Sequence, residues 1–392
     1  MTSTNQWASK WQLDPTLAYL NHGSYGSVPI DVQQVQDGFR LQATRDPNRW
    51  FRFELPGLLD DARDTVAKWF GVPTQYFAFV PNASQGVITA VQALVNQCSL
   101  VQATPHLVAT SLGYGGVLHG LEHIAKFGKC NYSIAHLVYP TEIDADVIAE
   151  RINASIADKK SNVIVVLDHI TSETGALLPV SDVISLVRAK HPSAQFVIDA
   201  AHSAGMLQQP LPIGFDVWVG NLHKWLCAPQ PAAALICGSQ AIADVMAPLS
   251  PSWGYEKGFP GSFEWQGTSD YSAYLSVPSA IAFQEQWSWA ERDFHNRSVV
   301  DSGAALLRSA WGTQPHIDSG VEAPWMRMVQ LPLIQPWTKT EIETVVQKAG
   351  KQLKAECMCM TVREKTYVRI SAHMYNEADQ YEALTTLPQL LA

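Results

Sequence analysis

Two residues in this sequence have the type and placement to do chemistry. Asp199 closes the apolar run FVID, and Lys224 follows the apolar stretch DVWVGNLH, 25 positions later, about one strand–loop–strand unit. Lysine is uncommon beside such runs because burying an ammonium group is costly. In a partly dry site its pKa falls, and the neutral amine is a nucleophile toward aldehydes. A carboxylate on the neighbouring strand end can keep a pyridine nitrogen protonated. A lysine for a Schiff base and an aspartate for the ring nitrogen are what pyridoxal 5'-phosphate requires. His202, three residues after Asp199, and His223, beside Lys224, fall at the same rim.

Other polar groups sit at similar points. PNASQG (Pro81 to Gly86) follows the strand-like YFAFV and opens a helix, so Ser84 and the amides of Ala83, Gln85 and Gly86 can cradle a phosphate; an ordinary N-cap serine reads the same way locally. Tyr114 opens the helix after HLVATSLG, where it can stack on a flat ring or simply start the helix. Ser172, in TSETG, follows the run NVIVVLDHI. No GxGxxG follows a strand and no GxxxxGK[ST] occurs, which removes the main support for dinucleotide and P-loop readings. His119 and His123 have the i,i+4 spacing of zinc ligands, but HGLEH is not HExxH and offers no third ligand, so no metal is expected.

These residues need a sheet to converge. From about Leu58 the chain alternates amphipathic helices with continuous apolar strands, the pattern of a mostly parallel sheet covered on both faces. AAALIC follows DVWVG too closely for a crossover helix, which predicts one antiparallel strand at or near an edge. Between Pro248 and Pro278 the composition turns to Gly, Pro, Ser and aromatics, a long functional loop. Beyond it come a long helical stretch, strand-like segments and a final helix. The predicted division is a large α/β domain over 20–270 and a smaller α+β domain over 271–392, with 1–19 packing on it.

The 392 residues carry a formal net charge of −9 and are 47% hydrophobic, enough for a sizeable core and unfavourable for nucleic acid or an anionic membrane. No run approaches membrane-spanning length, the start MTSTNQWASKWQLDP shows no secretory pattern, and the six cysteines contain no CxxC; a cytoplasmic protein with reduced thiols is expected. Thirteen tryptophans point to a large core and a dimer interface.

The sequence resembles the aminotransferase class V family of fold-type I pyridoxal-phosphate enzymes, in the branch of isopenicillin N epimerase. LNHGSYGSVP, ELPGLLDDAR, PNAS, HITSETGALLP, DAAHSAG, GNLHKWLCAP, PSWGYE, WQGTSD and YVRISAHMYN carry the resemblance over nearly the whole chain. It implies a seven-stranded-type sheet in the large domain and roles for individual residues. Lys224 would hold the cofactor and move the Cα proton, and Asp199 would pair with the ring nitrogen. His202 and Ser172 would bond near the ring oxygen, Tyr114 would stack on the ring, and Ser84, His223 and Asn221 would hold the phosphate. Thr268 would reach the phosphate of a neighbouring subunit, implying a homodimer with shared sites. Arg369 would grip the substrate α-carboxylate, with Asn21, His22, Tyr25, Trp253 and Tyr255 lining the substrate side.

The implied reaction runs through an external aldimine and a quinonoid of an amino acid. Reprotonation on the opposite face is epimerisation, with His22, Tyr25, Tyr255 and His373 as candidate acids. Loss of a β-sulfur group is C–S lyase chemistry, and protonation at the cofactor carbon is transamination. Cysteine desulfuration needs a reactive cysteine on a mobile loop, whereas Cys357 and Cys359 lie in the strand-like ECMCMTV. A scaffold that senses the cofactor without turnover is the non-enzyme alternative.

Overall fold

The computed structural model describes residues 5–100, 102–128, 130–156, 162–315 and 321–391. Its centre is a seven-stranded sheet made of β1 (Phe77–Val80), β2 (Pro105–Thr110), β3 (Asn131–Ala135), β4 (Asn162–Asp168), β5 (Gln195–Asp199), β6 (Val217–Asn221) and β7 (Ala233–Cys237). The spatial order is β1-β7-β6-β5-β4-β2-β3. The strands from β3 to β6 pair in parallel, while β7 runs antiparallel to both its neighbours. The expected antiparallel strand is therefore present, one place in from the edge, with β1 laid outside it.

Alternation along the strands sorts the side chains onto two faces. Val163, Val165 and Leu167 of β4 point to the face covered by α2 (Leu55–Phe70), α5 (Ala145–Ser155) and α6 (Val180–Lys190), with α1 (Ile30–Arg45) beyond α2. Ile164 and Val166 point to the face covered by α3 (Ala83–Leu100) and α4 (Gly115–Gly128). Val197 of β5 and Val217 and Val219 of β6 share that second face. By the same parity Asp168, Asp199 and Asn221 emerge on the α3/α4 side at the carboxyl ends of three adjacent strands.

The smaller unit is a three-stranded antiparallel sheet, β8 (Met326–Gln330), β9 (Met358–Val362) and β10 (Lys365–Ser371), with β10 in the middle. Val368 and Ile370 of β10 face a core shared with α7 (Trp289–Trp311) and α8 (Lys339–Lys348). Both helices start with a capping box, Ser288 with Glu291 and Thr338 with Glu341. The first of these interrupts the long helical stretch expected from sequence into Val277–Gln284 and α7. The final helix is instead two 3-10 segments, Ala378–Leu384 and Leu387–Leu391. Leu275, Val277, Ala280 and Phe283, just beyond position 271, bury against Trp50, Leu55 and Leu59 of the large unit. The N-terminal segment packs on the C-terminal part: Ala18–Tyr19 pairs with Ala355–Glu356, and the Asn5 side chain donates to the Met374 carbonyl. Among the described residues no helix is long and apolar enough to cross a membrane.

Candidate active site

Lys224 lies in the turn between β6 and β7, half-buried, its Nζ 3.3 Å from His202 Nε2. Trp225 Nε1 donates to His202 Nδ1 at 3.2 Å. That donor leaves the neutral imidazole proton on Nε2, facing the lysine, and burial holds His202 far below the ordinary histidine range. Burial first, then the Arg369 guanidinium, brings Lys224 down to about 8, against an opposing pull from Asp199 and Asp168. About a tenth of the amine is thus uncharged at pH 7, far more than for an ordinary lysine, and that is the form that attacks a carbonyl carbon.

Asp199 is buried at the end of β5, with one carboxylate oxygen accepting the Ala201 amide at 3.1 Å. Burial raises it to about 6, with the Ala201 amide and Lys224 pulling it back. The sequence reading missed the carboxylate beside it. Asp168 ends β4 in register with Asp199, is equally buried, and accepts the Tyr114 backbone amide. Burial and the Asp199 charge drive Asp168 well above the usual carboxylate range. The signal was present: in NVIVVLD and FVID the aspartate occupies the same parity and the same strand end. Through that bond Asp168 also sets the start of α4 and so the seat of Tyr114, whose ring is half exposed.

Asn221 ends β6 and accepts the Ala83 amide through Oδ1 at 2.8 Å, fixing the start of α3 to the sheet. Asn82 accepts the Gln85 amide through Oδ1 at 2.9 Å and the Gly86 amide through its carbonyl at 3.0 Å. This corrects the expected cradle: Ala83, Gln85 and Gly86 spend their amides on protein acceptors, and Ser84 is the residue of that turn left for a phosphate. His223 is half-buried, bonds the Ala232 carbonyl through Nδ1 at 2.8 Å, and is held by burial at about 4, hence neutral.

Arg369, on the face of β10 opposite Val368 and Ile370, reaches across to the large unit. Its Nη2 donates to Asn21 Oδ1 at 3.3 Å and Ser24 Oγ at 3.1 Å, and its Nη1 donates to the Ser172 carbonyl. Burial lowers it to about 10, so it stays a cation, and its charge acts on Lys224. Ser172 meets Arg369 through its carbonyl. The buried hydroxyl of this turn belongs to Thr171, bonded to Thr174 Oγ1 at 2.6 Å.

His22 does not line a substrate space. It is fully buried, bonded through Nδ1 to the Tyr375 hydroxyl at 2.7 Å and through Nε2 to the Lys224 carbonyl at 3.0 Å, and burial keeps it neutral at about 3. It supports the lysine turn from behind. His373 stacks on it at 4.3 Å with 20° between the rings, and Cys227 Sγ lies 3.6 Å from His373 Nε2 and 3.9 Å from His22 Nε2. Among the described residues this trio is the one group spaced for a metal. A metal must lie in the plane of each imidazole it binds, and stacked rings cannot share one without turning; the trio reads as packed, hydrogen-bonded core. His119 and His123 sit apart, His119 exposed beside Glu122 and His123 against Phe127.

Glycines press on the lysine turn from two sides. Gly26, at φ +74°, lies so close that a Cβ would sit 2.0 Å from the His223 carbonyl oxygen. Gly205, at φ +87°, would place one 2.5 Å from the Trp225 carbonyl carbon. Tyr25 is exposed, with its carbonyl held by Gln230. Trp253, Tyr255 and Thr268 are on the surface: Tyr255 shares a groove with Gln92, Asn96 and Leu100 of the second half of α3, and Asp270, in the loop of Thr268, pairs with Arg40 of α1. The structure does not bring these three to the Lys224 cluster of their own chain.

The donor set suits pyridoxal phosphate. A near-neutral amine, a buried carboxylate, a neutral imidazole proton and a helix start with Ser84 and His223 converge where three strands end.

Solved structures share this architecture. The cystine C-S lyase C-DES superposes with a TM-score of 0.74 at 17% identity, covering 96% of this chain and 97% of the other. A NifS-like protein gives 0.77 at 16% identity, with coverages of 96% and 99%. Among curated proteins, a probable chloroplastic L-cysteine desulfhydrase of Arabidopsis thaliana is 29% identical over 77% of this chain and 66% of its own length. Isopenicillin N epimerase of Streptomyces clavuligerus is 24% identical over 95% and 94%. The family model described as aminotransferase class-V matches residues 51–384, and the chain belongs to that family.

Proposed function

We propose that this protein is a pyridoxal-phosphate-dependent C–S lyase that cleaves a sulfur-bearing amino acid with a free α-carboxylate. With cysteine the balanced outcome is water consumed and pyruvate, ammonia and hydrogen sulfide released. The relatives named L-cysteine desulfhydrase and the C-S lyase fold neighbour support the class. When bound, the cofactor supplies an electron sink that acidifies Cα. The chain supplies the rest. Arg369 binds the α-carboxylate, Lys224 Nζ takes the Cα proton, and His202 Nε2–H and Asp199 hold the ring's polar edges. Asp168 fixes the start of α4 and with it Tyr114.

The observation that favours elimination is the placement of the acids. Epimerisation needs a second proton donor opposite Lys224; of the four candidates the two histidines, His22 and His373, are sealed behind the lysine turn, which leaves that task to the exposed tyrosines Tyr25 and Tyr255. Elimination uses one face. Persulfide transfer is disfavoured as well, because five of the six cysteines are buried and Cys130 is half-buried at a strand start. The decisive assay is incubation with L-cysteine and S-substituted cysteines in deuterated water. Pyruvate is expected with an equal amount of sulfide from cysteine, or of the free thiol from an S-substituted cysteine; Cα deuteration with inversion and no pyruvate would instead establish an epimerase. Visible absorbance of the bound cofactor should disappear in Lys224→Ala, and a wild-type protein that stays colourless with the cofactor would refute the reading altogether.

The exposed loop carrying Trp253, Tyr255 and Thr268 supports a homodimer in which this loop completes the partner's site, and unpaired cysteines support a cytoplasmic setting. Sedimentation giving a monomer with full activity would rule out the shared site.

A further inference from the structure

Three arginines are buried among the described residues: Arg292, Arg327 and Arg369. Arg327 has its anions, Asp301 at 2.7 Å and Glu322 at 3.3 Å. Arg369 faces the catalytic lysine, where a substrate carboxylate is to bind. Arg292, in the first turn of α7, has none. Its Nη1 donates to Gln284 Oε1 at 3.1 Å and to the Gly205 carbonyl at 3.4 Å, and its buried Nε has no partner. A buried cation without a counter-charge is an expensive arrangement unless something else supplies the anion.

Arg292 also lines a cavity of about 590 Å³, within the range of small-molecule sites. Trp69 and Phe70 at the end of α2 form one part of its lining, Trp287 and Trp289 another, with Gly205 and Leu207 between. Trp287 is braced by Trp7 and by the Lys10 ammonium 5.8 Å from its ring. Glu285 stands exposed on the same rim and acts on Arg292 electrostatically without forming an ion pair.

We propose that this cavity is a second binding site, separate from the Lys224 centre, for a flat aromatic monocarboxylate. Arg292 takes the carboxylate on Nη2, the nitrogen that is neither bonded nor sealed, and the indoles take the ring. A guanidinium N–H gives a carboxylate a charge-assisted hydrogen bond, stronger than one to a neutral acceptor. A phosphate dianion is disfavoured, because the site has one cation, Glu285 opposes a second negative charge, and the start of α7 is closed by Ser288 and Glu291. The site touches the catalytic turn, since Gly205, which accepts from Arg292, lies against the Trp225 backbone.

Calorimetric titration of the cofactor-loaded full chain with indole-3-carboxylate tests this. Saturable one-to-one binding is expected, about tenfold or more weaker for indole-3-carboxamide, which keeps the ring and lacks the charge. The signal should persist in Arg369→Gln, weaken at least tenfold in Arg292→Gln, weaken in Trp289→Leu, and strengthen in Glu285→Gln, which removes the competing charge. Retained cofactor absorbance certifies each variant as folded, and Trp289→Leu alone carries the test if Arg292→Gln does not fold. Equal binding of acid and amide, loss in Arg369→Gln with retention in Arg292→Gln, or no saturable heat would each overturn the proposal. Displacement by inorganic phosphate at comparable concentration would overturn the carboxylate assignment.

Discussion

Residue by residue, the proposed function separates groups that would touch substrate from groups that hold others in place. Arg369 would be of the first kind. Arg369→Ala should raise KM about tenfold to a hundredfold, the worth of a charge-assisted bidentate contact, while the visible band of the bound cofactor remains. Steady-state kinetics with an absorbance spectrum checks both; an unchanged KM would remove Arg369 from the substrate site. His22 is of the second kind. His22→Ala strips a hydrogen bond from the Lys224 carbonyl and one from the Tyr375 hydroxyl. It should lower stability by about 1–3 kcal/mol in urea unfolding and depress kcat more than KM, because the base is misplaced and the carboxylate grip is intact. Asp199, Lys224 and His202 were legible in the sequence because each ends or follows an apolar run. The partnership of His22 with Lys224 was not, because it joins positions about 200 apart, and only tertiary packing turns that imidazole inward.

Among the elements, the strand ends carry the site and the segments around them fix its tolerance. The alternation of apolar strands and helices made the parallel sheet readable, and the short gap before AAALIC revealed the antiparallel strand. What periodicity cannot supply is which strand lies outside β7, since β1 reaches that place from far away in sequence. Nor can it show that the amides of Ala83 and Gln85 are occupied by Asn221, expected at the phosphate itself, and by Asn82, which reads as an ordinary polar residue after a strand. The turn over His22–Tyr25 is the least forgiving segment. Gly26→Ala places a methyl group against the His223 carbonyl at a backbone angle that disfavours any side chain. It should destabilise the protein by more than about 2 kcal/mol, or shift the lysine turn enough to weaken cofactor affinity. Thermal unfolding with and without pyridoxal phosphate distinguishes the two, because a shifted turn narrows the gap between loaded and unloaded protein.

At the scale of the whole molecule, histidines set the acid limit of stability. Burial lowers His22 to about 3 and His169 and His223 to about 4, and it takes His202 and His373 well below the ordinary value. On these imidazoles the unfolded chain binds more protons than the native state between roughly pH 6.5 and 4, an excess that the raised carboxyls of Asp199 and Asp168 reduce but, being two against five, do not cancel. The stabilisation is complete above the unfolded value and is lost as pH falls through that window. The urea midpoint should accordingly drop steeply below about pH 6.5, and a midpoint flat down to pH 4 would contradict neutral buried imidazoles. The architecture also bears on the order of assembly. Among the described residues the edge strand β1 pairs with β7 alone, roughly 160 positions downstream, and the Ala83 amide beside it bonds to Asn221. A ribosome must therefore finish β6 and β7 before β1 has a neighbour or α3 an anchor. Nascent chains halted before Ala233 should be unable to retain the cofactor however long they wait, so loading is a late event that certifies a completed sheet.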